Sequence, residues 1–105
     1  MLKDISKRFA RPIFITENGI ADFTDQKRAK FIKDHLYWIY KAIQDGVDVR
    51  GYLYWSLLDN LELHQSFKPR FGLVEVDYAI LERKIRPSAL EYAKICRTNQ
   101  LEINF

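Results

Sequence analysis

The chain has 105 residues, 48% of them hydrophobic, and a net charge of +3. This size allows one domain at most, the apolar content excludes a disordered chain, and the longest apolar run, residues 51–58, is far too short to cross a bilayer. The densest basic stretches, residues 26–33 and 83–86, are short and interrupted, so they read as solvated faces and argue against a nucleic-acid protein.

In chain order, Leu2, Ile5 and Phe9 fall at helical spacing, predicting a helix over 2–11 without a start signal, as though its first turns were missing. Pro12 breaks it, and Ile13, Phe14 and Ile15 predict a short buried strand within 12–17. Asn18-Gly19 predicts a turn, and the polar stretch 22–25 offers Thr24 and Asp25 as N-caps. Ile32, Leu36, Ile39 and Ile43 recur three or four apart, predicting a helix over 26–45 that Gly46 terminates. On it, His35, Tyr37, Trp38 and Tyr40 read as packing residues. Residues 51–56 predict a second strand, too continuously apolar for a sheet with one wet face and suited to a parallel sheet covered by helices. A polar, aromatic loop over 57–72 leads to a short strand at 73–77, a return segment at 78–86 and a helix over 87–97 opened by Pro87.

Strands alternating with helices predict βα units and a parallel sheet. Two such strands alone expose apolar faces and an unpaired edge, so the expected fold class is α/β, a slice of a larger fold. In these folds the site lies at the carboxyl ends of the strands. Glu17 ends the first strand; Trp55 and Ser56 end the second, with Asp59, Asn60 and Glu62 beyond, all opening on one face. A carboxylate, an amide, an indole and a second carboxylate suit a sugar. Carboxylates engage hydroxyls and the anomeric carbon, and an indole stacks on the apolar face of a pyranose.

Each residue also has a plainer reading. Glu17 can be a solvated strand end, Trp55 core, Asp59-Asn60 a self-capping turn, and Glu62 and His64 solvated loop residues. A nucleophilic set of Ser56 or Ser66 with His64 and Asp59 lacks a supporting Gly-x-Ser-x-Gly elbow. There is no Cys/His metal spacing and no phosphate-binding glycine loop, so no metal and no cofactor are expected. Cys96 is the single cysteine and no secretion-like apolar segment opens the chain, which together predict a reducing, cytoplasmic setting.

Four ordered motifs carry a resemblance: FITENG at 14–19, GYLYWSLLDNLEL at 51–63, RFGLVEVD at 70–77 and RPSA at 86–89. Together they resemble the C-terminal part of family 1 glycoside hydrolases, the β-glucosidase and β-glycosidase family. The resemblance implies that the whole chain, 1–105, is the C-terminal segment of one (β/α)8 barrel domain, its last two βα units. It implies a retaining β-glycosidase in which Glu17 is the nucleophile, Trp55 the aromatic floor of the glycone subsite, and Glu62 the carboxylate that accepts hydrogen bonds from glycone hydroxyls. Asn18, Asp59 and Arg70 are implied as supporting residues. The implied partners are a β-glycoside or oligosaccharide and the missing N-terminal barrel portion, with no nucleic acid and no membrane segment.

This chain departs from the family pattern in two places. The pattern reads Asp-Asn-Phe/Tyr-Glu-Trp, whereas Leu61 and Leu63 flank Glu62 here, and Ser66-Phe67 replaces a Gly-aromatic pair. Leu63 removes an indole that donates to a glycone hydroxyl, so the resemblance leaves the sugar and its aglycone open. A retaining enzyme also needs an acid/base carboxylate about 5–5.5 Å from the nucleophile. The family places it in an Asn-Glu-Pro motif on the fourth strand, which these residues do not contain, so the isolated chain is expected to be inactive. A self-associating barrel remnant and a weak carbohydrate-binding module stand as alternatives.

Overall fold

The computed structural model describes residues 1–62 and 66–103. Its elements are α1 (Leu2–Phe9), β1 (Ile13–Ile15), α2 (Arg28–Gln44), β2 (Val49–Tyr52), β3 (Val74–Val76), β4 (Arg83–Ile85) and α3 (Pro87–Thr98). β1 pairs with β2 in parallel, Phe14 opposite Gly51 and Ile15 opposite Tyr52. β3 and β4 form a separate antiparallel pair, with Glu75 opposite Lys84. The return segment 78–86 therefore contains a strand that its charged sequence hid.

Local chemistry sets the boundaries. α1 stops at Phe9 because Ala10 turns left-handed (φ 46°), ahead of Pro12. α2 closes in a Schellman motif: Gly46 (φ 93°) donates to the Ile43 carbonyl and Val47 to the Ala42 carbonyl, both at 3.0 Å. Its start departs from the expected capping. The N-cap is Lys27, without a side-chain cap, and the Asp22 carboxylate accepts from the Lys27 amide at 2.7 Å. Thr24 spends its hydroxyl on Asp22, and Asp25 instead caps α3, accepting from the Ser88 amide at 2.9 Å and the Ser88 hydroxyl at 2.6 Å. A carboxylate at that helix start is well placed against the positive end of the dipole.

The core is small: Ile32, Ala42, Val47, Leu73 and Val76. Tyr92 of α3 packs its ring near those of Tyr52 and Tyr54, at 6.2 and 6.3 Å between centroids. Burial pushes the Tyr92 phenol up to about 12, helped by the adjacent Cys96, and pushes Tyr52 up as well. Both phenols stay neutral across the physiological range. Trp38 and Tyr40, expected to pack, are exposed on α2, as are Phe14, Leu53 and Leu57 elsewhere. His35 is exposed too, its Nδ1 2.8 Å from the Phe31 carbonyl.

The accessible surface is 7968 Å² for 12.5 kDa. A folded monomer of that mass exposes about 6,200 Å². The surplus of about 1,800 Å² is roughly twice the 800 Å² or so that one partner contributes to a standard protein interface.

The expectation that the basic runs are solvated fails at two residues. Arg28 is fully buried, its Nε donating to the Tyr54 hydroxyl at 3.0 Å and its Nη2 to the carbonyls of Asp22 and Arg70 at 2.6 Å each, while Nη1 pairs with Asp25. Arg86, 4% exposed, pairs with Asp59. Both guanidinium groups satisfy several carbonyl and carboxylate oxygens at once, which a planar fork does and an ammonium does not.

Candidate functional site

The parallel pairing continues past both strands. The Leu53 amide donates to the Ile15 carbonyl at 2.8 Å and the Trp55 amide to the Asn18 carbonyl at 2.9 Å. The second strand proper thus ends at Tyr52, earlier than predicted, yet the ladder still brings Asn18 beside Trp55 at the carboxyl end of the sheet. No turn forms at Asn18-Gly19. Gly19 is required for another reason: a Cβ there would lie 2.0 Å from the Trp55 carbonyl oxygen. The close approach of the neighbouring backbone excludes any side chain.

Glu17 is exposed, and its carboxylate makes no hydrogen bond or ion pair among the described residues. Asn18 is held: its Oδ1 accepts from the Tyr52 hydroxyl at 3.0 Å, which aims its amide nitrogen the other way. Trp55 is 37% exposed, so it is neither core nor free surface. Its Nε1 donates to Glu62 Oε1 at 3.1 Å. The peptide bond between Trp55 and Ser56 is cis. Glu62 and Ser66 exchange two backbone hydrogen bonds of 2.8 Å. Asn18, Trp55 and Glu62 are thus linked into one group beside Glu17. Leu63 and His64 lie outside the described residues.

Asp59 and Arg70 belong to a different, buried cluster. The Asp59 carboxylate accepts from Arg86 Nη1 and Nη2 at 2.8 and 3.0 Å, from Arg70 Nη1 at 3.1 Å, and from the Gly72 and Val76 amides at 2.9 and 3.3 Å. Burial raises the carboxyl's pKa, but the Arg86 hydrogen bonds and the two amides outweigh it and hold it below the ordinary carboxylate value. Asp59 is therefore neither a self-capping turn residue nor available to a Ser/His/Asp set. Ser56 is also committed, donating to the Leu58 carbonyl at 2.7 Å and accepting from Asn60 Nδ2 at 3.1 Å.

Arg70 ties the Asp59 cluster to buried Arg28. Its Nη1 reaches the Val76 carbonyl at 2.8 Å, its guanidinium sits over the Tyr78 ring, and its own carbonyl accepts from Arg28. Tyr52, Tyr54, Arg28 and Arg86 complete the support; Tyr52, Tyr54 and Arg86 lie inside the quoted motifs without an assigned role, and Arg28 lies outside them. One signal was present: Arg28 lies four residues before Ile32, in phase with the apolar stripe of α2. Among the described residues no cluster of His, Cys, Asp and Glu has the makings of a metal site, and no helix is long and apolar enough to cross a membrane.

The comparisons with known proteins agree among themselves. The beta-galactosidase of Sulfolobus acidocaldarius is 48% identical over 92 residues, 88% of this chain and 19% of its own length. Beta-glucosidase A of Thermotoga maritima is 38% identical over 97% of this chain and 25% of its own. The solved beta-glycosidase from Pyrococcus horikoshii superposes with a TM-score of 0.92 at 53% identity, covering 97% of this chain and 24% of that one. The chain thus spans about a fifth to a quarter of the length of these relatives, and its α/β arrangement is matched within a family of barrel enzymes. The sequence model described as Glycosyl hydrolase family 1 matches residues 1–101, and the chain belongs to that family.

Proposed function

We propose that this chain is the nucleophile-bearing part of a retaining β-glycosidase, forming the last two βα units of its (β/α)8 barrel. The observation that carries this is the ladder beyond β1 and β2, which sets Glu17-Asn18 beside Trp55 while the Trp55 indole holds Glu62 at 3.1 Å. Glu17, exposed and without a partner among the described residues, is free to attack an anomeric carbon from one face of the sugar. Bond formation between Glu17 and that carbon expels the aglycone, and water then releases the sugar. Trp55 offers an indole face to the pyranose, and Glu62 keeps one oxygen for Trp55 and a second for glycone hydroxyls. Asn18, oriented by Tyr52, directs its amide donors toward the same space.

The acid/base carboxylate is supplied by chain outside these residues, so the 105-residue chain alone does not turn over. The surplus exposed surface supports this arrangement, because the rest of a barrel is what covers apolar groups such as Phe14, Leu53 and Leu57. The substrate is a terminal β-linked sugar, its identity left open by Leu63. Trapping the full barrel with a 2-deoxy-2-fluoro β-glycoside, followed by peptide mass spectrometry, should label Glu17. Labelling of any other residue overturns the assignment.

A further inference from the structure

We propose that Tyr78 is a positioning residue for the Glu62 carboxylate, acting through Phe67; its functional consequence rests on Glu62 binding the sugar. The Arg70 guanidinium sits 4.3 Å from the Tyr78 ring centroid, a cation–π distance, and is itself fixed by Asp59 and the Val76 carbonyl. Tyr78 is thus anchored to the buried cluster. The Phe67 ring lies 4.7 Å from that of Tyr78 at an interplanar angle of 57°, a favourable tilted pair.

Phe67 follows Ser66, whose left-handed backbone (φ 63°) exchanges two hydrogen bonds with Glu62. Glu62 therefore has two anchors. The Trp55 indole holds its carboxylate, and Ser66 holds its backbone; Tyr78 secures the second by seating Phe67. The Tyr78 hydroxyl is buried without a hydrogen-bond partner among the described residues, so the ring does the holding.

Amide hydrogen exchange on the full barrel tests the positioning, and steady-state kinetics on the same variants test its consequence. Tyr78→Phe should leave exchange at Glu62 and Ser66 unchanged. Tyr78→Ala and Phe67→Ala should accelerate it at both residues while Val47, bonded to Ala42, stays protected. KM for an aryl β-glycoside should then rise about tenfold with kcat nearly constant, whereas a loss of folded enzyme lowers kcat alone. Phe67 is 48% exposed, so its removal does not threaten folding. Unchanged exchange in Phe67→Ala, or Tyr78→Phe as damaging as Tyr78→Ala, overturns the proposal. Faster exchange with an unchanged KM upholds the positioning and overturns the sugar-binding role of Glu62 instead.

Discussion

Replacing Asp59 by Asn keeps the shape of the side chain and removes its charge from between two guanidinium groups. The site is fully buried on the Asp59 side, and Arg86 beside it is almost so. Water therefore does not screen what is left. Breaking a buried ion pair by removing one partner costs about 3–5 kcal/mol, because the other charge stays behind uncompensated. The new amide also turns a donor toward groups that are all donors: Arg70, Arg86, Gly72 and Val76. Domain stabilities are only about 5–15 kcal/mol, so Asp59→Asn should remove a large share of the total. In thermal terms each kcal/mol shifts Tm by about 4–8 °C at this chain length, giving a fall of well over 10 °C.

Urea unfolding at neutral pH, followed by far-UV circular dichroism, measures the difference directly. Acid supplies a second, sharper signature. The folded Asp59 carboxyl is held below its ordinary value of 3.8, so its stabilisation is complete above that pH. It is lost as pH falls through the lower folded value. Once protonated, Asp59 presents the same uncompensated guanidinium groups as Asn, and the gap between wild type and variant should close in acid. A midpoint shift below about 0.5 kcal/mol, the range of neutral surface changes, refutes the reasoning. So does a gap that stays constant down to the acid limb.

Three further outcomes are expected. Glu17→Gln should lower turnover of the full barrel by about 10³-fold or more, as loss of a covalent nucleophile does, with urea midpoints unmoved because the carboxylate is exposed. Gly19→Ala should destabilise by about 1–3 kcal/mol through overpacking against the Trp55 carbonyl, and hydrogen exchange should show the Trp55 amide losing protection. Asp25→Ala removes both the cap of α3 and the partner of buried Arg28, so chemical denaturation should report a loss of about 3–5 kcal/mol, well beyond the roughly 1 kcal/mol of a cap alone.

The helices were legible because their signals are local. The stripe Ile32, Leu36, Ile39 and Ile43 and the stop at Gly46 both lie within α2 and its end, and Pro87 does open α3. β4 was not legible, since Arg83, Lys84 and Ile85 are all exposed and carry no alternation. Asp25 was misassigned for a related reason. Nothing near it in sequence distinguishes capping the helix that follows from capping Ser88, 63 residues away.

The site divides along the same line. Glu17 and Trp55 follow closely on strand ends, with Glu62 in the loop beyond, and a parallel α/β order alone is enough to bring strand ends together. What holds them there depends on partners far apart in the chain. Arg28 and Lys30 stand two residues apart in one basic run, yet Arg28 is buried and Lys30 lies exposed beside Asp34. Positions i and i+2 of a helix face different ways, so composition could not separate them but helical phase could. Arg86 has no such phase to follow, because its burial is decided by Asp59, 27 residues earlier. Asp59 in turn is buried because four separate residues aim donors at it. A charged residue at a position where several donors converge is stable only when all of them are present. Charges in this frame therefore read from sequence as surface until the fold supplies their partners.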